Sequence, residues 1–202
     1  VIRAKIPEHR WLRAAVIGSY WAAFEIVAGS FLHNLKVPLS GTILASVSVY
    51  LLVVFVAGWK QKGLVWRAGL IAALLKSISP SAVILGPMTG IMAEALLLEL
   101  AILLFGTNML GFLAGGALAV FSTILHKAVT LLLLYGFNLV KMLEALYAFS
   151  AKQLGFEHIG PDKLLILIAV IYLTSGVIMA TAGYLTAKKL TANHRHQKLR
   201  KS

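Results

Sequence analysis

Residues 39–58, LSGTILASVSVYLLVVFVAG, contain no charged side chain. A run that long and that apolar matches one helical crossing of about 30 Å of hydrocarbon. Similar runs cover about residues 12–35, 88–105, 109–135 and 164–187, and a shorter one at about 64–78 is interrupted by Lys76. These runs are continuous instead of alternating, so they read as helices and not as barrel strands. The sequence predicts an all-α, polytopic membrane protein, a bundle of six transmembrane helices.

Composition agrees with this reading. Of 202 residues, 59% are hydrophobic and 13% charged, against about 25% charged in soluble domains. One membrane domain over residues 1–202 is expected: a basic N-terminal segment (1–11), six spans (12–187) and a basic tail (188–202). The net charge of +12 comes from Lys and Arg that flank spans. No segment is long enough to form the basic soluble face that nucleic-acid binding needs. The absence of cysteine excludes disulfides and thiolate metal sites. The basic start leads into a full-length span without a small-residue cleavage pattern, which reads as a retained first helix.

Basic residues also give a sidedness. Arg3, Lys5 and Arg10, then Lys60 and Lys62, then the tail KKLTANHRHQKLRKS are rich in positive charge, and the alternate connections are poor in it. The positive-inside rule places both termini in the cytoplasm, in a cytoplasmic (inner) membrane. Pro38 and Gly41 punctuate the first connection, and GTN (106–108) is a tight turn. Residues 79–87, SPSAVILGP, form a Pro-bounded connection that either lies outside the membrane or re-enters it. Residues 137–160 read as an amphipathic interfacial segment or a helical extension, and IGPD (159–162) as a helix start.

Ionisable groups inside spans are costly and are functional-site candidates by default. On this topology Glu25, Lys76, Glu94, His126 and Lys127 fall between mid-membrane and the outer surface, with Glu99 nearer the midplane. Glu94 and Glu99 diverge by about 140° around one helix, so they do not share a face. Glu94 is the acid expected at an outward pocket, with Lys76 and GPMTG (86–90), including Thr89, at its mouth. Alternatively, Glu94 forms a structural ion pair with Lys76 or Lys127. His126 and Lys127 either bind ligand or pair with Glu25 or Glu94. Glu99 is expected to be protonated, or paired with another helix or a partner subunit. A helix opening at GPMTG would offer N–H groups to an anionic ligand group, while Glu94 below opposes a bare anion. A zwitterionic or hydrogen-bonding solute fits the mixture better.

Little supports catalysis: GxSxG, HExxH, a Cys nucleophile and GxxxxGK[ST] are all missing, so this chain is not itself a P-loop ATPase. No metal-ligand spacing joins His33, His126, Glu25 and Glu94. His194 and His196 belong to a solvated basic run. No cofactor is expected. An intramembrane lipid-modifying enzyme and a membrane scaffold or assembly subunit remain as alternatives to solute uptake.

Small residues recur at four-residue spacing in the first span, as Ala14, Gly18 and Ala22 and again as Ala15, Ser19 and Ala23. Such faces allow close helix approach, within the chain or to another. With the six-span plan and both termini inside, this face resembles the substrate-binding S components of energy-coupling factor (ECF) transporters. In that family a small-residue motif on the first helix contacts the coupling membrane subunit. The resemblance implies that one of these two registers is the partner contact. It implies that HNLKVPLSG (33–41), with His33 and Asn34, caps a ligand pocket on the outer side. GPMTGIMAE also looks like the segment opening the fourth helix in some such proteins. The implied function is capture of a vitamin or other micronutrient from outside, with a coupling transmembrane subunit and two ATPases as partners in the lipid bilayer, and release by tilting of the subunit.

Overall fold

The computed structural model describes residues 8–78, 85–135, 138–155 and 160–201. Regular structure among them consists of seven α-helices: α1 (Glu8–Asn34), α2 (Ser40–Trp59), α3 (Leu64–Ser77), α4 (Leu85–Phe105), α5 (Met109–Leu134), α6 (Leu139–Leu154) and α7 (Pro161–Lys201). Five of them, α1, α2, α4, α5 and α7, are long and apolar enough to cross a membrane. α3 has 14 residues and rises about 21 Å, less than a hydrocarbon core.

Large apolar side chains cover the outside. Leu12, Tyr20, Val27 and Phe31 on α1, Leu96 and Leu104 on α4, and Ile166 and Ile178 on α7 are all exposed. The buried side is instead rich in Ala, Gly and Val and holds most of the charged groups found in the spans. A soluble bundle has the opposite distribution. Small residues inside and large apolar ones outside suit packing in lipid, where close backbone approach replaces hydrophobic exclusion.

The order of neighbours around the bundle is α1, α3, α4, α5, α7, α2 and back to α1, with α2 also touching α5 across the middle. Gly18 sits where α1 meets α3, and a Cβ there would lie 2.7 Å from the Ala68 carbonyl oxygen. Gly116 and Gly176 meet backbone to backbone where α5 meets α7. Larger side chains at these crossings would force the helices apart.

Pairwise contacts give the helix directions. Trp11 and Trp66 meet edge to face at 5.9 Å, and Lys76 reaches Glu25, so α1 and α3 run the same way. Arg13 lies over Trp59 at 5.1 Å and Ser48 reaches Glu25, so α2 runs against α1. Glu99 reaches the start of α3, so α4 runs against α3. Phe112 and Tyr184 lie 5.9 Å apart, so α7 runs against α5. One end of the bundle thus gathers Trp11, Arg13, Trp59, Trp66 and Arg67, and the Arg67 guanidinium stacks over Trp11 and Trp66 at 5.3 and 4.6 Å.

Several boundaries differ from expectation. α4 starts at Leu85, before the expected Met88, because Pro87 falls in the first turn, where its missing N–H has no helical acceptor to lose. The expected connection 79–87 is therefore helical from residue 85, and residues 79–84 lie outside the described residues. α7 does not stop at Ala187 but continues into the basic tail, 41 residues in all. The mixed segment after α5 is a helix, α6, packed on α5 and α7. Its start is capped by Asn138, whose side-chain oxygen accepts from the Lys141 N–H at 3.1 Å. The GTN turn has Gly106 at φ 90° and Asn108 capping α5 through the Gly111 N–H at 3.0 Å.

Candidate functional site

Four helices each deliver one polar side chain to a common buried place. α1 brings Glu25, α2 Ser48, α3 Lys76 and α4 Glu94, and each is at least nine-tenths buried. Glu25, Ser48 and Glu94 lie eight or nine residues from one end of their helices. At 1.5 Å per residue they share a level about 12–14 Å below that end. Lys76 reaches the same level because α3 is short and ends there.

The Lys76 ammonium donates to the backbone carbonyl of Glu25 at 2.9 Å. It lies against Gly29 one turn on, where a Cβ would sit 3.5 Å from Nζ. The Ser48 hydroxyl donates to Glu25 Oε1 at 3.3 Å. Lys76 also acts electrostatically on the Glu25 carboxyl, and Glu94 is near enough to Glu25 for the two carboxyl groups to act on each other. Glu94 Oε2 is buried with no hydrogen-bond partner, as is the Ser46 hydroxyl on α2. Trp21, fully buried, lies one turn before Glu25 on α1. A buried polar group left without a partner costs about 1–3 kcal/mol, and a charged one more. The cluster is thus half satisfied: Glu25 and Lys76 are tied into the helices, and Glu94 is not.

Glu99 has a separate role. Its carboxylate accepts from the backbone N–H groups of Gly63 and of Val65 at 2.8 Å, with that of Trp66 at 3.4 Å. These are the free donors at the start of α3, so a side chain of α4 caps α3. Of the expected fates of Glu99, the structure has pairing with another helix. Its position near the basic end replaces the one near the midplane.

The other sequence candidates lie elsewhere. The Lys127 ammonium lies over the Phe149 ring of α6 at 4.7 Å. His126, its neighbour on α5, is half-buried and its carbonyl accepts from Thr130. His33 and Asn34 are exposed at the end of α1. Thr89 is exposed in the first turns of α4 and donates to the Gly86 carbonyl at 2.9 Å. Of the eight candidate solute contacts, Glu25, Lys76 and Glu94 are brought together. Ser48 was missed. Its only signal was a hydroxyl in a charge-free span, where Ser commonly bonds across helices.

The two small-residue registers separate. Ala14, Gly18 and Ala22 are buried, with Gly18 packed directly on α3. Ser19 and Ala23 are exposed and Ala15 is half-buried. Among the described residues no three His, Asp or Glu side chains converge as a metal site would require. No family model, curated protein or solved structure matches this chain.

Proposed function

We propose that this chain is the membrane-embedded solute-binding subunit of an ATP-driven importer of the energy-coupling factor type, capturing a vitamin or other micronutrient from outside the cell. The observation that carries this reading is Glu94: a buried acid with no hydrogen-bond partner for Oε2, near a second acid, Glu25, that an ammonium holds, inside a lipid-suited bundle. Such groups mark solute or ion sites in membrane proteins. In this reading α3 is a short sixth crossing, and the basic end faces the cytoplasm with both termini. The alternating helix directions and the positive charge near Arg13, Lys60, Lys62 and Arg67 support that sidedness. It puts the cluster in the outer half of a cytoplasmic membrane. The register Ala15, Ser19 and Ala23 is the face left for a coupling membrane subunit, because Ala14, Gly18 and Ala22 are used within the chain.

An assembly or scaffold role has one observation in its favour, the internal bonding of Lys76, Glu25 and Ser48. That role leaves Glu94 unexplained. The chain has no P-loop, so an importer must recruit its ATPases. Affinity purification of the tagged chain from its native membranes should co-isolate a second integral membrane protein with P-loop ATPases. Isolation as a lone chain, or with partners that include no ATPase, would count against the proposal.

A further inference from the structure

The charges at the cluster select among ligand chemistries, given the reading of this chain as a solute-binding subunit. Two carboxyl groups, on Glu25 and Glu94, act on each other, and one ammonium, Lys76, acts on Glu25. The Lys76 Nζ is already directed at the Glu25 carbonyl, and Glu25 Oε1 already accepts from Ser48. What remains unmatched is acceptor capacity on Glu94 Oε2, together with the Ser46 hydroxyl and the Trp21 indole N–H.

An anionic group would approach two acids with a single cation to offset them, and that cation is held by α1. A hard divalent metal takes six or more oxygen ligands, and among the described residues not even three acidic or His side chains converge. A neutral apolar group would leave Glu94 as unmatched as before. A cationic nitrogen carrying N–H donors supplies both missing elements, one positive charge and a donor aimed at a carboxylate. Charge-assisted N–H to carboxylate bonds are about twice as strong as neutral ones.

We infer that Glu94 receives a cationic N–H group of the solute, namely a protonated amine, an amidinium or a guanidinium. Glu25, whose backbone carbonyl accepts from Lys76 and whose carboxyl accepts from Ser48, supplies a second acid near it. A neutral solute of the same shape supplies at most the weaker, uncharged hydrogen bond, and an apolar one leaves Glu94 unpaired.

The test uses the full-length protein in lipid nanodiscs and its melting temperature at constant ionic strength. The probes are benzamidinium and butylammonium, against their neutral counterparts benzamide and butanol, with sodium and potassium chloride as controls. The cationic probes should raise the melting temperature by about 2–4 °C and the neutral ones should not. Glu94→Gln should abolish the difference, and Glu94→Asp, which keeps the charge, should retain part of it. Equal effects of benzamidinium and benzamide, an undiminished benzamidinium effect in E94Q, or stabilisation by sodium alone would overturn the inference. Co-isolation with ATPases together with a bound neutral or anionic solute would overturn this ligand class and leave the importer reading standing. A cation effect lost in E94Q, in a chain that recruits no ATPase, would support the ligand class and defeat the importer reading.

Discussion

Glu94 and Glu99 sit five residues apart on α4, about 140° of helix rotation, and that rotation sends them to different partners. Glu99 turns to the start of α3 and accepts from its free backbone N–H groups. Glu94 turns to the cluster and finds no donor for Oε2. The two acids therefore respond differently to substitution. Glu99→Ala leaves the buried Val65 N–H and the partly buried Gly63 and Trp66 N–H groups at the start of α3 without an acceptor, and should destabilise the protein by about 1–3 kcal/mol. Glu99→Gln keeps one acceptor oxygen and should cost less. Thermal melting in detergent checks the order, wild type above Gln above Ala. Both variants should still respond to benzamidinium as wild type does, since Glu99 lies outside the cluster. Equal melting temperatures across the three would contradict the cap. The divergence of the two acids was legible in their spacing, and the partners of Glu99 were not. The partners of Glu99 are backbone groups 33–36 residues away, and backbone donors leave no mark in a sequence. Lys127 shows the same limit, because the ring it rests on belongs to α6 and not to a neighbouring acid.

Helix positions were far more legible, because apolar run length reports directly on what must be buried in lipid. α2, α3 and α5 begin and end within a residue or so of the positions read from the chain. Failures came where local chemistry carries two meanings. Pro87 marks a break in general but is tolerated in a first turn, so α4 began earlier than read. The basic tail ends an apolar run but not a helix, so α7 continued through it. The two registers on α1 are alike in composition. Only packing against α3 distinguishes the buried one from the exposed one. Element directions also carry a prediction. In the proposed orientation the α1–α2 connection faces outward and the α2–α3 connection inward. The chain has no cysteine, so single cysteines can be introduced on a clean background. An impermeant thiol reagent applied to intact cells should label Lys36→Cys and leave Lys62→Cys unlabelled until the membrane is opened. The reverse pattern would invert the proposed sidedness, and labelling of both on one side would remove α2 as a crossing.

At the scale of the whole molecule, apolar bulk is turned outward and charge inward. Large apolar side chains are exposed on α1, α4 and α7, while Glu25, Lys76 and Glu94 are buried. Lipid meets the outer surface at no cost, but the interior charges are expensive in a low-dielectric surround. Packing alone would be better served by apolar residues in their place. Hydrogen bonds inside the chain offset part of that cost for Glu25 and Lys76, and Glu94 Oε2 has none. A bound solute that supplies the missing donor gives the whole arrangement a reason. The most direct measurement is mass spectrometry of small molecules extracted from purified wild-type protein and from Glu94→Gln prepared in parallel. The account predicts one small molecule with a cationic nitrogen, near-stoichiometric in the wild type and depleted at least tenfold in E94Q, a loss of about 1.4 kcal/mol or more in binding. Equal recovery from both proteins, or no retained molecule in a folded wild type, would contradict it.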